Sequence, residues 1–398
     1  MFLDLGGTFR AQSAQETLTR LRPLLPVFGI TRVIPQEGLG DTKIPVSISC
    51  RPNSRFLSTS QGKGITRELA DVSAIMESVE TFHAERLPPP DVVASIAQLR
   101  AQGRRHIEPK RLTVIPGPQF NIDDALIEWL ALTHLGDGAE MLVPRVYLNM
   151  DQSRPRLEMV TWPLFVSTNG LASGNTLEEA LLHGLYELIE RDCLFDHRYR
   201  FSEEERRDRR IILDSLDGIP HIDELRARLE EGRLSLTVRS IHGRFGIPAF
   251  TAMVRPREPN DPVPGVGCGA HYVPEVALSR AITEAVQSRI TFISGSRDDT
   301  FPWHYHPLSA SSTPRELLDT GVAPRMRMAD VPRPPQFTSF ADTLTWTREL
   351  LEHHGFKDTC YFDHSRPEFG NIPVVTVVSP GLRLDLRLAT HYSQRPDH

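Results

Sequence analysis

Residues 169–192 read NGLASGNTLEEALLHGLYELIERD, and this stretch decides the fold. A small-residue turn, Ser173-Gly174-Asn175-Thr176, gives way to a helical pattern that runs on toward Phe195. On that helix Leu182, Leu185 and Ile189 mark one face, while Glu187 and Glu190, three positions apart, share roughly the opposite one. The helix has an apolar back and an anionic front.

The same register is written twice more. The alanines at 70, 180 and 277 are followed at the same distance by Glu77, Glu187 and Glu284, and three residues further on by Glu80, Glu190 and Gln287. Helices are expected near 66–84, 176–196 and 274–293, with Val72, Ile75 and Val79 as the apolar face of the first. Gly62-Lys63-Gly64 and Gly267-Cys268-Gly269 supply the turns of the other two copies, so strand, tight turn and helix are implied each time. Like charges this close destabilise a helix by about 0.2–0.5 kcal/mol per pair, so repeating them calls for a counter-charge. One copy alone reads as a solvated face. Three copies point to a site where the acidic faces converge.

Outward from these segments, 13–25 reads as an amphipathic helix capped by Ser13 or Thr17, and 31–34 and 44–50 as strands. A helix is expected over 91–102, a strand over 111–115, a helix containing Trp129 over 122–135, and strand material over 141–150. Alternation suits paired strands at 234–241 and 247–255 after a helix at 222–232. A helix at 340–353 and strands at 358–362 and 374–378 complete the pattern. The expected class is α+β, one main body over 1–380 with helices packed on sheets through their apolar faces. Residues 298–335 read as a long loop and 381–398 as a polar tail.

Composition narrows the function. The net charge of −6 over 398 residues offers no broad basic field for nucleic acid. The first residues lack a basic, apolar signal, and no run approaches the roughly 18 apolar residues of a membrane span, so a cytoplasmic, membrane-free protein is expected. Four scattered cysteines without CxxC spacing argue against a zinc knuckle or a disulfide framework. Cys193, Cys268 and the His353-His354 pair read as packing and surface residues. Clustered carboxylates with no histidine among them are hard oxygen ligands suited to Mg2+ or Mn2+. Lys63, Arg191, Arg280 and Arg289 can meet phosphate or balance the carboxylates. Asn175 and Glu179 stand at a helix start, where free amides favour an anion. A nucleoside triphosphate with Mg2+ satisfies these groups.

The runs Ser60 to Gly64, Ser73 to Glu80, Asn169 to Asp192 and His271 to Arg289 resemble the signature blocks of the YcaO family, a likeness that spans about residues 10–380. The resemblance implies a YcaO-like fold of mixed and antiparallel sheets with helices, and an ATP- and Mg2+-dependent enzyme that activates peptide backbone amides. It places metal binding on Glu77, Glu80, Glu187, Glu190 and Glu284. It places nucleotide contacts on Asn175, Glu179, Arg191 and Arg280, with Arg10 and Thr17 at the N-terminus, and assigns no catalytic residue. Thr81 stands where many members carry arginine, and Ala172-Ser173 displaces a family serine. The absence of a GxxxxGK[ST] loop agrees with the family.

In that chemistry ATP phosphorylates the amide oxygen after a nucleophile adds, turning oxide into a good leaving group. A Cys, Ser or Thr side chain of the substrate yields an azoline; external sulfide yields a thioamide. The chain lacks the PxPxP ending of azoline-forming members and a fused peptide-clamp domain, and its layout resembles members that work beside a TfuA-type protein. Thioamide formation on a ribosomally made peptide or protein is therefore expected, with the precursor, partner protein and sulfur donor as separate molecules and a homodimer as the default assembly. The alternatives are an azoline-forming cyclodehydratase, a non-catalytic peptide-binding scaffold, and an accessory factor in ribosomal-protein modification. Glutamate at five of six repeated positions counts against the scaffold.

Overall fold

The computed structural model describes residues 2–113, 123–153, 164, 166–257, 264–298 and 323–384. Its strands in chain order are β1 (Leu3–Asp4), β2 (Phe9–Arg10), β3 (Arg32–Pro35), β4 (Val46–Cys50), β5 (Thr59–Lys63), β6 (Val92–Ala94) and β7 (Ile127–His134). They continue with β8 (Glu140–Pro144), β9 (Leu171–Ser173), β10 (Leu234–Ser240), β11 (Ala249–Pro256), β12 (Gly265–Ala270), β13 (Cys360–Asp363) and β14 (Val374–Val378). Three of these lead through three residues each, 64–66, 174–176 and 271–273, into the acidic helices Arg67–Ala84, Leu177–Tyr199 and Pro274–Ser294. The antiparallel sheets and packed helices give the α+β architecture expected from sequence.

The chain divides into two compact units. The first comprises Met1–Asn53, Leu57–Ser78 and Asp192–Thr338; the second comprises Ser54–Phe56, Val79–Arg191 and Ser339–His398. Within the first, β3-β4-β5 and β10-β11-β12 are three-stranded antiparallel sheets of consecutive strands. The third acidic helix buries Ala277, Leu278, Ala281, Ile282, Ala285 and Val286 in a core shared with Phe250, Val254 and Leu225. Glycine makes that packing close. A Cβ on Gly267 would stand 2.2 Å from Ala285 N and 2.4 Å from Ala281 O, and one on Gly62 would stand 2.1 Å from Ala74 N. These glycines therefore lie inside strands, pressed on helix backbone, and not in the turns where their composition suggested them.

The second unit holds a six-stranded sheet in the order β6-β7-β13-β14-β9, with β8 also paired to β7. The residues expected as a helix around Trp129 form β7 instead. Ile127 and Trp129 are buried, and after a change of phase so are Leu130, Leu132 and His134, while Trp129 Nε1 donates to Ala94 O at 2.9 Å. Partners on both sides decide the conformation of this strand, and helical spacing cannot report them. Residues 91–102 split for a similar reason. β6 joins the sheet, and Ser95 then caps a short helix at Ile96–Ala101 through a reciprocal box with Gln98. Of the strand expected over 111–115, Arg111 closes a 3-10 turn at Pro109–Arg111, residues 112–113 are not in a strand, and 114–115 lie outside the described residues.

Other expectations hold closely. Ser13 caps the helix Ala14–Leu21, which a 3-10 turn at Arg22–Leu24 ends, and Phe340–His353 and β14 fall where their pattern placed them. Strand material after Met141 stops at Pro144 and a one-turn helix follows. Of the expected loop 298–335, residues 299–322 lie outside the described residues; Met326 bridges to Ile211, and Met328–Asp330 is a 3-10 turn. Residues 385–398 of the tail also lie outside.

Candidate metal and nucleotide site

One contact recurs at the three leading glutamates. The backbone of Gln61 hydrogen-bonds Glu77, the Gly170 amide donates to Glu187 Oε2 at 3.2 Å, and the Cys268 amide donates to Glu284 Oε1 at 3.4 Å. In each case the donor belongs to the strand before the helix or to its first flanking residue. A strand edge has amides without a ladder partner, and a carboxylate one helix-width away can accept them. At Glu187 and Glu284 the same bond fixes one carboxylate oxygen and leaves the other turned outward, toward a basic side chain.

The outward oxygens face positive charge. In the first unit Lys63 Nζ lies 2.5 Å from Glu284 Oε2. Burial raises the Glu77 carboxyl above its ordinary range; Arg297, Lys63 and the Gln61 backbone oppose the shift, and the charge of Glu284 adds to it. Glu77 and Glu284 thus sense one another. In the second unit Arg191 lies 3.7 Å from Glu187 Oε1 and 3.5 Å from Glu190 Oε1, and Glu80 accepts from Ser173 Oγ at 2.6 Å. Glu190, on the nominally solvated face, is only 4% exposed. Gln287, where the acidic pattern breaks, uses its amide to bond Gln61 O at 2.9 Å and tie the third helix to β5.

The expected nucleotide residues are placed in three ways. Arg10 on β2 and Arg280 on the third acidic helix are brought together at His271, whose pKa falls to about 3 because it is buried and both guanidiniums act on it. Phe9 and Tyr272 pack on the same imidazole, at 5.8 and 4.6 Å between centroids. Asn175 sits in the link before the second acidic helix; Glu179 is buried in that helix's first turn, its amide donating to Thr176 Oγ1 at 3.2 Å. Thr17 is different. It is buried and its hydroxyl donates to Ser13 O at 2.9 Å, within its own helix.

The family model described as YcaO cyclodehydratase, ATP- and Mg2+-binding, matches residues 61–383. The chain belongs to the YcaO family. A Rhizobium leguminosarum bv. trifolii protein, described only by its position in the tfuA 3' region, is 33% identical over 95% of this chain and 89% of its own length. YcaO from Methanopyrus kandleri, solved with AMPPCP and Mg2+, superposes with a TM-score of 0.73 at 23% identity, over 96% of this chain and 95% of that one. A heterocyclase solved in complex with substrate and cofactor gives 0.76 at 22% identity; this chain, 95% covered, spans 53% of it. These structural likenesses establish a shared YcaO fold.

The donor set of this YcaO chain fits Mg2+, which takes hard oxygens in small numbers and completes its shell with water and phosphate. Among the described residues no three His, Cys, Asp or Glu side chains gather tightly enough to enclose an ion. The carboxylates stand in pairs within each unit, Glu77 with Glu284 and Glu187 with Glu190, each beside a basic side chain. Residue spacing did not mark Ser173 as a partner of Glu80, nor His271 as the group between Arg10 and Arg280. For Gln287 a signal existed: the exchange of glutamate for its amide at the sixth position. Among the described residues no helix is long and apolar enough to cross a membrane.

Proposed function

We propose that this YcaO protein uses ATP and Mg2+ to phosphorylate a backbone amide oxygen of a ribosomally made peptide or protein and, with sulfide from a separate donor, converts that amide to a thioamide. The observation that carries the reading is the set of strand-fixed glutamates with outward oxygens. In it Glu77, Glu80, Glu187, Glu190 and Glu284 hold Mg2+, while Arg10, Asn175, Glu179, Arg191 and Arg280 meet the nucleotide. Bound Mg2+ supplies charge compensation as the γ-phosphoryl group moves. The protein's own part is to hold the carboxylates and guanidiniums in place before the charge develops. Thr17, whose hydroxyl donates to Ser13 O, is the sixth member of the nucleotide set.

The thioamide product, and a TfuA-type partner, are supported by the Rhizobium relative named for its place beside tfuA. Phosphate release and the mass of a candidate precursor test the proposal together. Glu187→Gln and Glu190→Gln should each lower ATP turnover on the order of 100-fold or more while the protein still melts cooperatively. Parental turnover in both variants would remove the metal assignment. Exchange of oxygen for sulfur in the peptide supports the thioamide; loss of water would make the chain an azoline-forming cyclodehydratase instead.

A further inference from the structure

Lys63 ends β5, and its ammonium is bonded to Glu284 Oε2 at 2.5 Å, with the two side chains 21% and 28% exposed. The same charge acts on Glu77. With the other oxygen of Glu284 engaged by the Cys268 amide, a cation that takes Oε2 competes with Lys63 for it. A lysine suits such an exchange. Its ammonium is a point charge on a flexible stem, without the fork that would lock a guanidinium to both oxygens.

We propose that Lys63 is the resident counter-ion of the Glu77–Glu284 pair: it competes with the divalent cation for Glu284 and, once displaced, turns its charge to the anionic oxygens of the nucleotide. This rests on the reading of Glu77 and Glu284 as metal ligands. Without the cation, the like charges of two carboxylates call for a positive charge beside them, and the Lys63 ammonium on Glu284 supplies it. With it, that charge is surplus beside the acids and useful beside a triphosphate. Lys63 thereby couples the order of events, the metal entering as the ammonium leaves.

Mn2+ titration of the nucleotide-free protein, followed by electron paramagnetic resonance, tests this without turnover. Lys63→Met and Lys63→Gln should bind Mn2+ roughly three- to five-fold more tightly than the parent, the worth of a partly exposed ion pair. The metal-free variants should melt lower than the parent and gain more from Mn2+. With a non-hydrolysable ATP analogue and Mn2+ present, calorimetry should show both variants binding the nucleotide more weakly. If Glu284→Gln weakens Mn2+ binding while both Lys63 variants bind as the parent does, the counter-ion role is overturned and the metal site stands. If Glu284→Gln itself binds Mn2+ at parental strength, the metal reading fails, and the role of Lys63 with it.

Discussion

The sheet beneath the third acidic helix is made of neighbours in the chain, whereas the sheet that includes the strand before the second is assembled from afar. β10, β11 and β12 follow one another and pair in that order. β9 is three residues long and finds its partner in β14, Ser173 opposite Val374. The local sheet earns its close helix contact from glycines within one strand; the distant one pairs segments that lie far apart in the chain. Their sites differ in the same sense, one lysine on a strand serving Glu284 and one arginine on the helix itself serving Glu187 and Glu190.

The sharpest way to break this contrast is to fill the strand–helix contact. Gly267→Ala should cost roughly 3–5 kcal/mol, because its Cβ meets helix backbone that no rotamer change can move. Gly184→Ala, in the second unit, should cost less because the overlap is shallower: its Cβ would lie 2.8 Å from Gly170 O and 2.9 Å from Val377 Cγ2. Gly29→Ala faces open space and bears only the strain of a φ of +70°, about 1 kcal/mol. Urea unfolding of the three variants should return that order. A Gly267→Ala protein within 1 kcal/mol of the parent would mean that the helix does not rest on β12 as described.

The same distinction governs what could be read in advance. The acidic register, the helices on it and the β10-β11 pairing depend on residues close in sequence, and the fold class followed from them. Trp129 shows the limit. Its segment has enough apolar residues for a helix, and only β6, β8 and β13, invisible to a local pattern, make it a strand. At the site the glutamates were legible because a repeated charge without a counter-charge is costly. The strand amides that aim them were not, since a backbone donor carries no residue identity. His271 was hidden for another reason: two arginines far apart in sequence close on it only through the fold.

Acid separates the units by a smaller margin. Among the described residues the first holds three histidines driven well below their ordinary range: His197 and His271 to about 3 and His242 to about 4, each mainly by burial, with nearby guanidiniums adding. The second holds His364, at about 3, buried and bonded to Thr376. A histidine whose folded pKa lies below the unfolded value of about 6.5 takes its proton more readily once unfolded. Its stabilisation is complete above about pH 6.5 and is lost as pH falls toward 3–4. Glu77, raised by burial, pulls the other way in the first unit and narrows the gap. Between pH 6.5 and 5.5 the first unit should lose roughly 1–2 kcal/mol more than the second. Peptide-resolved hydrogen exchange reads this directly, and equal slopes in both units would dissolve the asymmetry.

The smallest expected difference lies in two helix caps of the same design. Ser95 and Gln98 exchange bonds in the second unit at 3.2 and 2.8 Å, and Ser13 and Glu16 do so in the first at the same distances. Ser95 is buried at 5% exposure, so Ser95→Ala loses packing as well as the bond to the Gln98 amide and should cost about 1–2 kcal/mol. Ser13→Ala leaves its amide to solvent and should cost less. The pH dependence of the two boxes differs in kind. The Glu16 carboxyl is held below its ordinary range by the Ser13 hydroxyl and amide, so its contribution is present above the unfolded carboxylate value and fades as pH drops through the lowered one. Gln98 carries no titrating group, and the Ser95 box should be indifferent to the same drop. Measured at neutral pH and again near pH 3, the penalty of Ser13→Ala should shrink while that of Ser95→Ala holds; equal shrinkage would show that the acid effect comes from elsewhere in the chain.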